Sequence, residues 1–157
     1  MKRALLAAFI VVLLFLPQLT GGVYYTNLAS QALIAALFAL SLNLLVGYAG
    51  LVSLGHAGYL GLAAYSFGWL MTHLGWGHLA AAVAALAVTT VMAGIFGLIA
   101  LRAAGISFLM ITLALGQILW GLAYRWSSVT GGDNGISGLT RPSPFGIDLG
   151  NPNNFYY

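Results

Sequence analysis

The chain is 157 residues long, 61% hydrophobic and 4% charged, with a net charge of +3 and no cysteine. A soluble domain carries roughly 25% charged residues, so this chain has too few to cover itself against water and most of its solvent must be lipid. The missing cysteines exclude disulfides, thiolate metal sites and a cysteine nucleophile; the basic residues form no run beyond Lys2-Arg3, which excludes nucleic acid as a partner and leaves them to bear on membrane orientation.

In chain order, MKRALLAAFIVVLLFLPQLTGG opens with two positive charges and an apolar run. It resembles a signal peptide but lacks a small-x-small cleavage site after Pro17 and is followed by further apolar runs, so we read it as a retained first helix, with a cleaved signal as the alternative. A helix crosses the roughly 30 Å hydrocarbon layer in about 20 residues. On that measure the candidate spans are Ala4–Leu19, Leu28–Val46, Ala57–Met71, Leu79–Leu101 and Ile106–Tyr124. The first and third are short, and the third reads as a half-helix or an interrupted one. The connectors are Thr20–Asn27, Gly47–His56, Thr72–His78 and Arg102–Gly105. Continuous rather than alternating apolar runs disfavour a closed barrel. The expected fold is therefore all-α: a polytopic bundle of about five transmembrane segments, one of them discontinuous, over residues 1–125. Residues 126–157 gather Ser, Thr, Gly, Asn, Pro and both carboxylates, Asp133 and Asp148, and form an extracytoplasmic polar loop. Five crossings from a cytoplasmic amino terminus place Lys2, Arg3 and Arg102 inside and Arg125 and Arg141 outside, a weak bias in the expected sense. The same arrangement puts Trp69, Trp76, Trp120, Tyr124 and Trp126 near the outer interface, where aromatic rings favour the headgroup layer.

Helix packing is also legible. At about 100° per residue, Ala57, Gly61, Ala64 and Gly68 share one face of the third span, and Gly105, Thr112, Gly116 and Ala123 share one face of the last. Small residues let backbones approach closely where lipid removes the hydrophobic drive.

The stretch NLLVGYAGLVSLGHAGYLGLAAY, residues 43–65, is the most unusual part of the sequence. Each glycine costs about 1 kcal/mol relative to alanine inside a helix, and Gly47, Gly50 and Gly55 fall close together, so an unbroken helix is not expected. A break at membrane depth is tolerated only if buried in protein or lining a wet cavity, and half-helix ends of this kind present partial charges to polar solutes in transporters. Ser41, Asn43, Ser53 and His56 lie on or beside the break and are the candidate path-lining groups, with Thr112 and Gln117 as weaker ones. The alternative is a tight cytoplasmic turn between two spans with His56 as a cap; a lone membrane histidine is more often structural than a proton carrier.

Three motifs in order, SLNLLVGYAGLVSLGHAGYLGLAAY (41–65), LRAAGISFLMITLALGQI (101–118) and SSVTGGDNGISGL (127–139), resemble those of the branched-chain amino acid ABC permease family, and their order resembles its LivM-type membrane subunit more than the LivH-type partner. The similarity runs from residue 40 to 157. Two departures stand out: Gln117 occupies a position where many relatives have Glu, and members of the family are about twice as long, so the chain resembles an amino-terminal half. The resemblance implies a permease subunit working with a second permease subunit, two ATPase subunits that bind the ATP, and an extracytoplasmic substrate-binding protein, in a bacterial or archaeal plasma membrane. Permeases for urea or short amides look similar, and a half-length scaffold without transport is a further alternative.

No catalytic site is expected. There is no phosphate-binding loop and the only lysine is Lys2. No acidic residue falls in a predicted span, whereas proton- or sodium-driven carriers place carboxylates there. His73 and His78 do not have the spacing of a metal site with His56, no serine lies in a nucleophile elbow, and no cofactor or metal is expected in this chain. The turn Thr130, Gly131, Gly132, Asn134, Gly135 reads either as an outer loop that docks a binding protein or shapes a vestibule, or as an ordinary capped turn.

Overall fold

The structure, a computed structural model, describes residues 23–139. Its elements are helices α1 (Val23–Ala49), α2 (His56–Leu74), α3 (His78–Ala100), α4 (Ile106–Arg125) and α5 (Ser127–Thr130), followed by a 3-10 turn at Gly132–Asn134. Among the described residues there is no strand. α1, α3 and α4 are each long and apolar enough to cross a membrane. The predicted span Ala4–Leu19 and the end of the polar loop lie outside the described residues.

The chain divides into two units, Met1–Leu40 with Thr140–Tyr157, and Ser41–Leu139. In the first unit, residues 23–40 are helical throughout, so the connector expected over Thr20–Asn27 is shorter than the sequence implied. The Ser30 hydroxyl donates to the Thr26 carbonyl at 3.0 Å, folding its polar atom onto its own helix as an apolar surrounding requires.

The second unit contains the last turns of α1 and everything to Leu139. α1 stops when Gly50 takes φ +67, a conformation that side chains with a Cβ adopt only at a cost of about 1–2 kcal/mol; the Gly50 N–H still closes onto the Val46 carbonyl at 3.1 Å. α2 is not the half-helix expected from the short apolar run Ala57–Met71: it has 19 residues, about 28 Å at 1.5 Å per residue. It ends at Gly75, in the left-handed conformation, where the chain turns back on the Leu70 carbonyl. α2 and α3 pack side by side, with Tyr59 and Phe96 in ring contact at 6.4 Å, and Ala81 and Ala85 buried on α3. α4 runs in the same direction as α2, since Gly55 meets Thr112 and Gly116, Gly58 meets Gly116 and Leu119, and Gly68 meets the segment after α4. Phe108 and Leu119 are its buried hydrophobic residues. Most large apolar side chains, including Leu79, Leu86, Leu98 and Ile106, are exposed, which is the surface a multi-pass membrane protein presents to lipid.

Small residues mediate the closest approach, though not all those expected. A Cβ on Gly116 would lie 3.0 Å from the Gly55 Cα, and one on Gly58 3.4 Å from the Gly116 Cα. Gly55 and Gly58, outside the predicted stripe, therefore make the contact together with Gly116. Within the stripe, Ala57 and Ala64 are exposed and a Cβ on Gly61 would meet open space. Gly68 packs against the Ile136 and Leu139 side chains, and Gly105 is no packing residue but the left-handed residue before α4. Sharing one face of a helix does not say which part of that face meets a neighbour; the closest crossing of α2 and α4 lies at the first turn of α2.

Candidate functional site, a broken segment and the cavity above it

Between α1 and α2 the chain is not helical from Gly50 to Gly55. Gly47, expected in the break, is still inside α1, where the open space around it imposes no steric demand. The route of these six residues can be traced against α4. Gly50, Leu51 and Val52 border a small apolar cavity of about 270 Å³ together with Gly105, Ile106, Phe108 and Leu109, at the beginning of α4. Gly55 lies against the Thr112 carbonyl and Gly116, the latter at the middle of a 20-residue helix. The rise from Ile106 to Thr112 and Gly116 is about 9–15 Å at 1.5 Å per residue. The non-helical segment thus climbs the first turns of α4 before α2 begins, and its last residues lie well inside the length of a helix that is itself long enough to span the bilayer. Non-helical backbone at such depth requires a protein lining and internal hydrogen-bond partners.

One of those partners is a side chain. The Leu54 N–H donates to the Thr112 hydroxyl at 3.2 Å, and the same hydroxyl donates to the Leu109 carbonyl at 3.0 Å. On the other side, Ser41 Oγ and His56 Nε2 are 3.2 Å apart, joining α1, about two turns before its end, to the first residue of α2. His56 also stands edge-on to Tyr59, with ring centroids 6.5 Å apart. Gly55 caps α2 without a side-chain hydrogen bond, and the Gly58 N–H closes onto the Gly55 carbonyl at 3.0 Å, so the partial positive charge of the helix dipole lies beside the break.

Above the break, between α2 and α4, lies a cavity of about 590 Å³. Leu54, Ala57 and Gly58 form its floor, Leu62, Tyr65 and Trp69 one wall, Leu113, Gln117 and Trp120 the other, and Trp126, Val129 and Thr130 its far end. From Leu113 to Trp126 it extends about 20 Å along α4. Its lining is overwhelmingly apolar, with Tyr65, Ser66, Gln117 and Thr130 among the residues that carry polar groups; among the described residues no charged side chain borders it.

The predicted site residues are therefore distributed unequally. Ser41 and His56 are brought together; Ser53 and Thr112 are buried at 8% and 7% exposure; Gln117 is exposed and borders the cavity; Asn43 is exposed on α1. Thr112 does not border the large cavity, since its hydroxyl is turned to the break. Sequence reasoning missed Tyr65, Ser66 and Trp69 as cavity residues. The spacing of 65, 66 and 69 on a helix adjacent to the glycine face was the available signal, and assigning the tryptophans to the membrane interface obscured it.

The turn that follows α4 is built around Thr130, which is 7% exposed. Its hydroxyl donates to the Ala123 and Trp126 carbonyls, and accepts from the Gly132 N–H at 3.2 Å. Gly131 has φ +76, and a Cβ there would run into the Gly135 carbonyl, so glycine is required both conformationally and sterically. Gly132 and Gly135 also have positive φ, and Asn134 and Gly135 close the 3-10 turn onto the Gly131 and Gly132 carbonyls. The turn closes the carbonyl end of α4 and directs Ile136 and Leu139 onto Gly68 of α2.

Comparison with known proteins gives these features a family. Residues 24–151 match the model of the branched-chain amino acid transport system permease component. The high-affinity branched-chain amino acid transport system permease protein LivM of Salmonella typhimurium (strain LT2) is 32% identical over 123 residues, covering 78% of this chain and 29% of that protein. The LivM protein of Escherichia coli (strain K12) is 31% identical over the same shares. The chain thus spans about 29% of the length of these curated relatives. No solved structure is significantly similar to it. The match covers both the glycine-interrupted segment and the Thr130 turn, and with the apolar exposed helices it makes this a multi-pass membrane protein: the chain belongs to the family of branched-chain amino acid transport permease components.

Proposed function

We propose that this chain contributes the solute path of an ABC importer for branched-chain or related hydrophobic amino acids. The observation that carries the reading is the cavity whose floor is the break and whose far end is the Thr130 turn. A largely apolar chamber accommodates aliphatic side chains. The amino end of α2 offers the partial positive charge of the helix dipole to the carboxylate of a cargo amino acid. Ser41, Ser53, His56 and Gln117, grouped around the break and along the cavity, supply the polar groups of the path. In this reading the Thr130–Gly135 turn closes the outer end of the chamber and faces a substrate-binding protein, the amino terminus is cytoplasmic, and the membrane is a bacterial or archaeal plasma membrane. A second permease subunit and two ATPase subunits complete the assembly; ATP is bound and hydrolysed by the latter, and this chain needs no cofactor of its own. The apolar lining favours hydrophobic cargo over urea or short amides.

The test is uptake by the assembled transporter in native membranes or proteoliposomes. Replacing Gly50 and Gly55 together with leucine is expected to abolish binding-protein-dependent leucine uptake while membrane insertion persists. Urea is expected not to compete. Normal leucine uptake by the double variant would reduce the break to a connecting turn.

A further inference from the structure

We propose that Thr112 is a positioning residue that sets the depth of the broken segment against α4, acting on the break rather than on cargo. The inference rests on the transport reading only for its consequence in uptake; the positioning itself stands on geometry.

Two threonines of α3 show what a membrane helix ordinarily does with a hydroxyl. Thr89 and Thr90 donate to the carbonyls four residues earlier, on Ala85 and Leu86, at 2.8 Å each. Such a bond hides the polar atom on its own helix. Thr112 differs in both respects. It donates to the carbonyl three residues earlier, and its oxygen accepts the Leu54 N–H from the break. Non-helical backbone at this depth needs a partner from the protein or from a cavity it lines, and the Thr112 hydroxyl supplies one from the protein, satisfying the Leu54 N–H and tying the break to α4 in one step.

At the break itself, shape does little to fix the register. Gly55 lies against Gly116 and the Thr112 carbonyl with no side chain between them, and the first side chain from α4 to enter the contact is Leu119, against Gly58 one turn further on. Ridge-and-groove packing, which ordinarily locks two helices in register, needs side chains. A glycine contact allows closeness in several registers, and the directed bond from Leu54 selects one of them. Ser41 and His56 tie the same junction to α1, so the amino end of α2 is held between two polar links, of which the Thr112 link is partly buried and the other exposed. Leu54 also borders the large cavity: a shift of the break relative to α4 changes the cavity floor directly.

The absence of native cysteine makes the position of the break measurable without cargo. Leu54→Cys is introduced as a reporter at the cavity floor and, in a separate protein, Gly77→Cys as a reporter in the exposed connector between α2 and α3, where an added side chain meets open space, and each is labelled in native membranes with a water-soluble maleimide. Combining Thr112→Val, which keeps shape and removes the hydroxyl, with the Leu54→Cys reporter is expected to change the labelling rate at least fivefold. Thr112→Ser, which restores the hydroxyl, is expected to bring it within twofold of the parent, and the Gly77→Cys reporter is expected not to respond to either substitution. Equal labelling of the cavity floor in the valine and parental backgrounds overturns the proposal, as does failure of serine to restore it. A parallel change at Gly77→Cys also overturns it, because Thr112 is then an ordinary tie of the whole bundle. In uptake, with native residues at 54 and 77, Thr112→Val is expected to lower the maximal rate of leucine transport at least fivefold with KM within twofold, and serine to restore it. A raised KM with an unchanged maximal rate would show contact with cargo and refute positioning. Absence of leucine uptake in every background, with labelling as expected, would instead remove the transport reading and leave the positioning intact.

Discussion

Replacing Gly55 with alanine adds a single methyl group where the chain has no room for one. The new Cβ would overlap the Thr112 carbonyl oxygen and crowd its carbon at 3.1 Å, with the Gly116 nitrogen in ordinary contact at 3.6 Å. The colliding atoms are backbone atoms of a helix, so no rotamer change relieves the overlap; either α2 moves off α4 or the Leu54–Thr112 bond is lost. Overpacking of this kind costs about 1–3 kcal/mol where side chains can adjust, and a backbone collision belongs at the upper end, near 3 kcal/mol. At a few degrees per kcal/mol for a chain of this size, that is a fall of roughly 6–12 °C in melting temperature. Two neighbouring glycines isolate the cause. Gly50→Ala meets open space but is held at φ +67, which costs about 1–2 kcal/mol of conformational strain alone. Gly47→Ala meets open space inside α1 and is expected to gain up to about 1 kcal/mol of helix propensity. Thermal unfolding of the purified protein in detergent, followed by tryptophan fluorescence, is expected to rank Gly47→Ala at or above the parent, Gly50→Ala below it and Gly55→Ala lowest. If Gly55→Ala melts with Gly47→Ala, the break does not lie against α4, and the depth argument built on that contact fails.

Other outcomes follow from the same geometry. Thr130→Val strands the Gly132 N–H and removes the donor to two carbonyls, a loss of about 1–3 kcal/mol that Thr130→Ser is expected to recover by at least half in the same melting assay; equal melting of the valine variant and the parent would falsify the capping role. Gly131→Ala combines the left-handed φ with collision on the Gly135 carbonyl and is expected to be more damaging than Gly135→Ala, which has a positive φ but open space; the reverse order would contradict the turn as described. Gly61→Leu projects into open space beside the cavity, so leucine uptake is expected to drop at least tenfold while stability stays level or rises by up to about 1 kcal/mol from helix propensity. Unimpaired uptake in that variant would place the path elsewhere. Gly68→Ala meets the flexible end of Ile136 at 3.2 Å, and a change in stability of less than about 1 kcal/mol is expected because one side chain can yield; a loss as large as that at Gly55 would mean the Ile136–Leu139 segment is as rigid as the helices.

Lipid as the solvent, the helical class, the spans α3 and α4 to within a residue or two at each end, and the interruption near Gly50 all came from local properties that a linear sequence states directly: apolar run length, propensity and the conformational demands of glycine. The three ordered motifs carried the family in the same way. Other features could not be read there, because each depends on which part of the chain lies opposite. Gly47 and Gly50 look alike in sequence, yet one continues a helix and the other ends it. Gly61 and Gly116 look like equivalent packing residues, yet Gly61 meets open space and Gly116 meets Gly55. Thr112 looks like a path residue on a small-residue face, and only the arrival of Leu54, separated from it by 58 positions, turns its hydroxyl to the break. The sequence alone therefore determined that this chain lives in a bilayer and is interrupted there, since solvent and backbone freedom are properties of each residue. Tertiary structure decided how deep the interruption reaches and what holds it, since depth and hydrogen-bond partners exist only once α4 lies alongside.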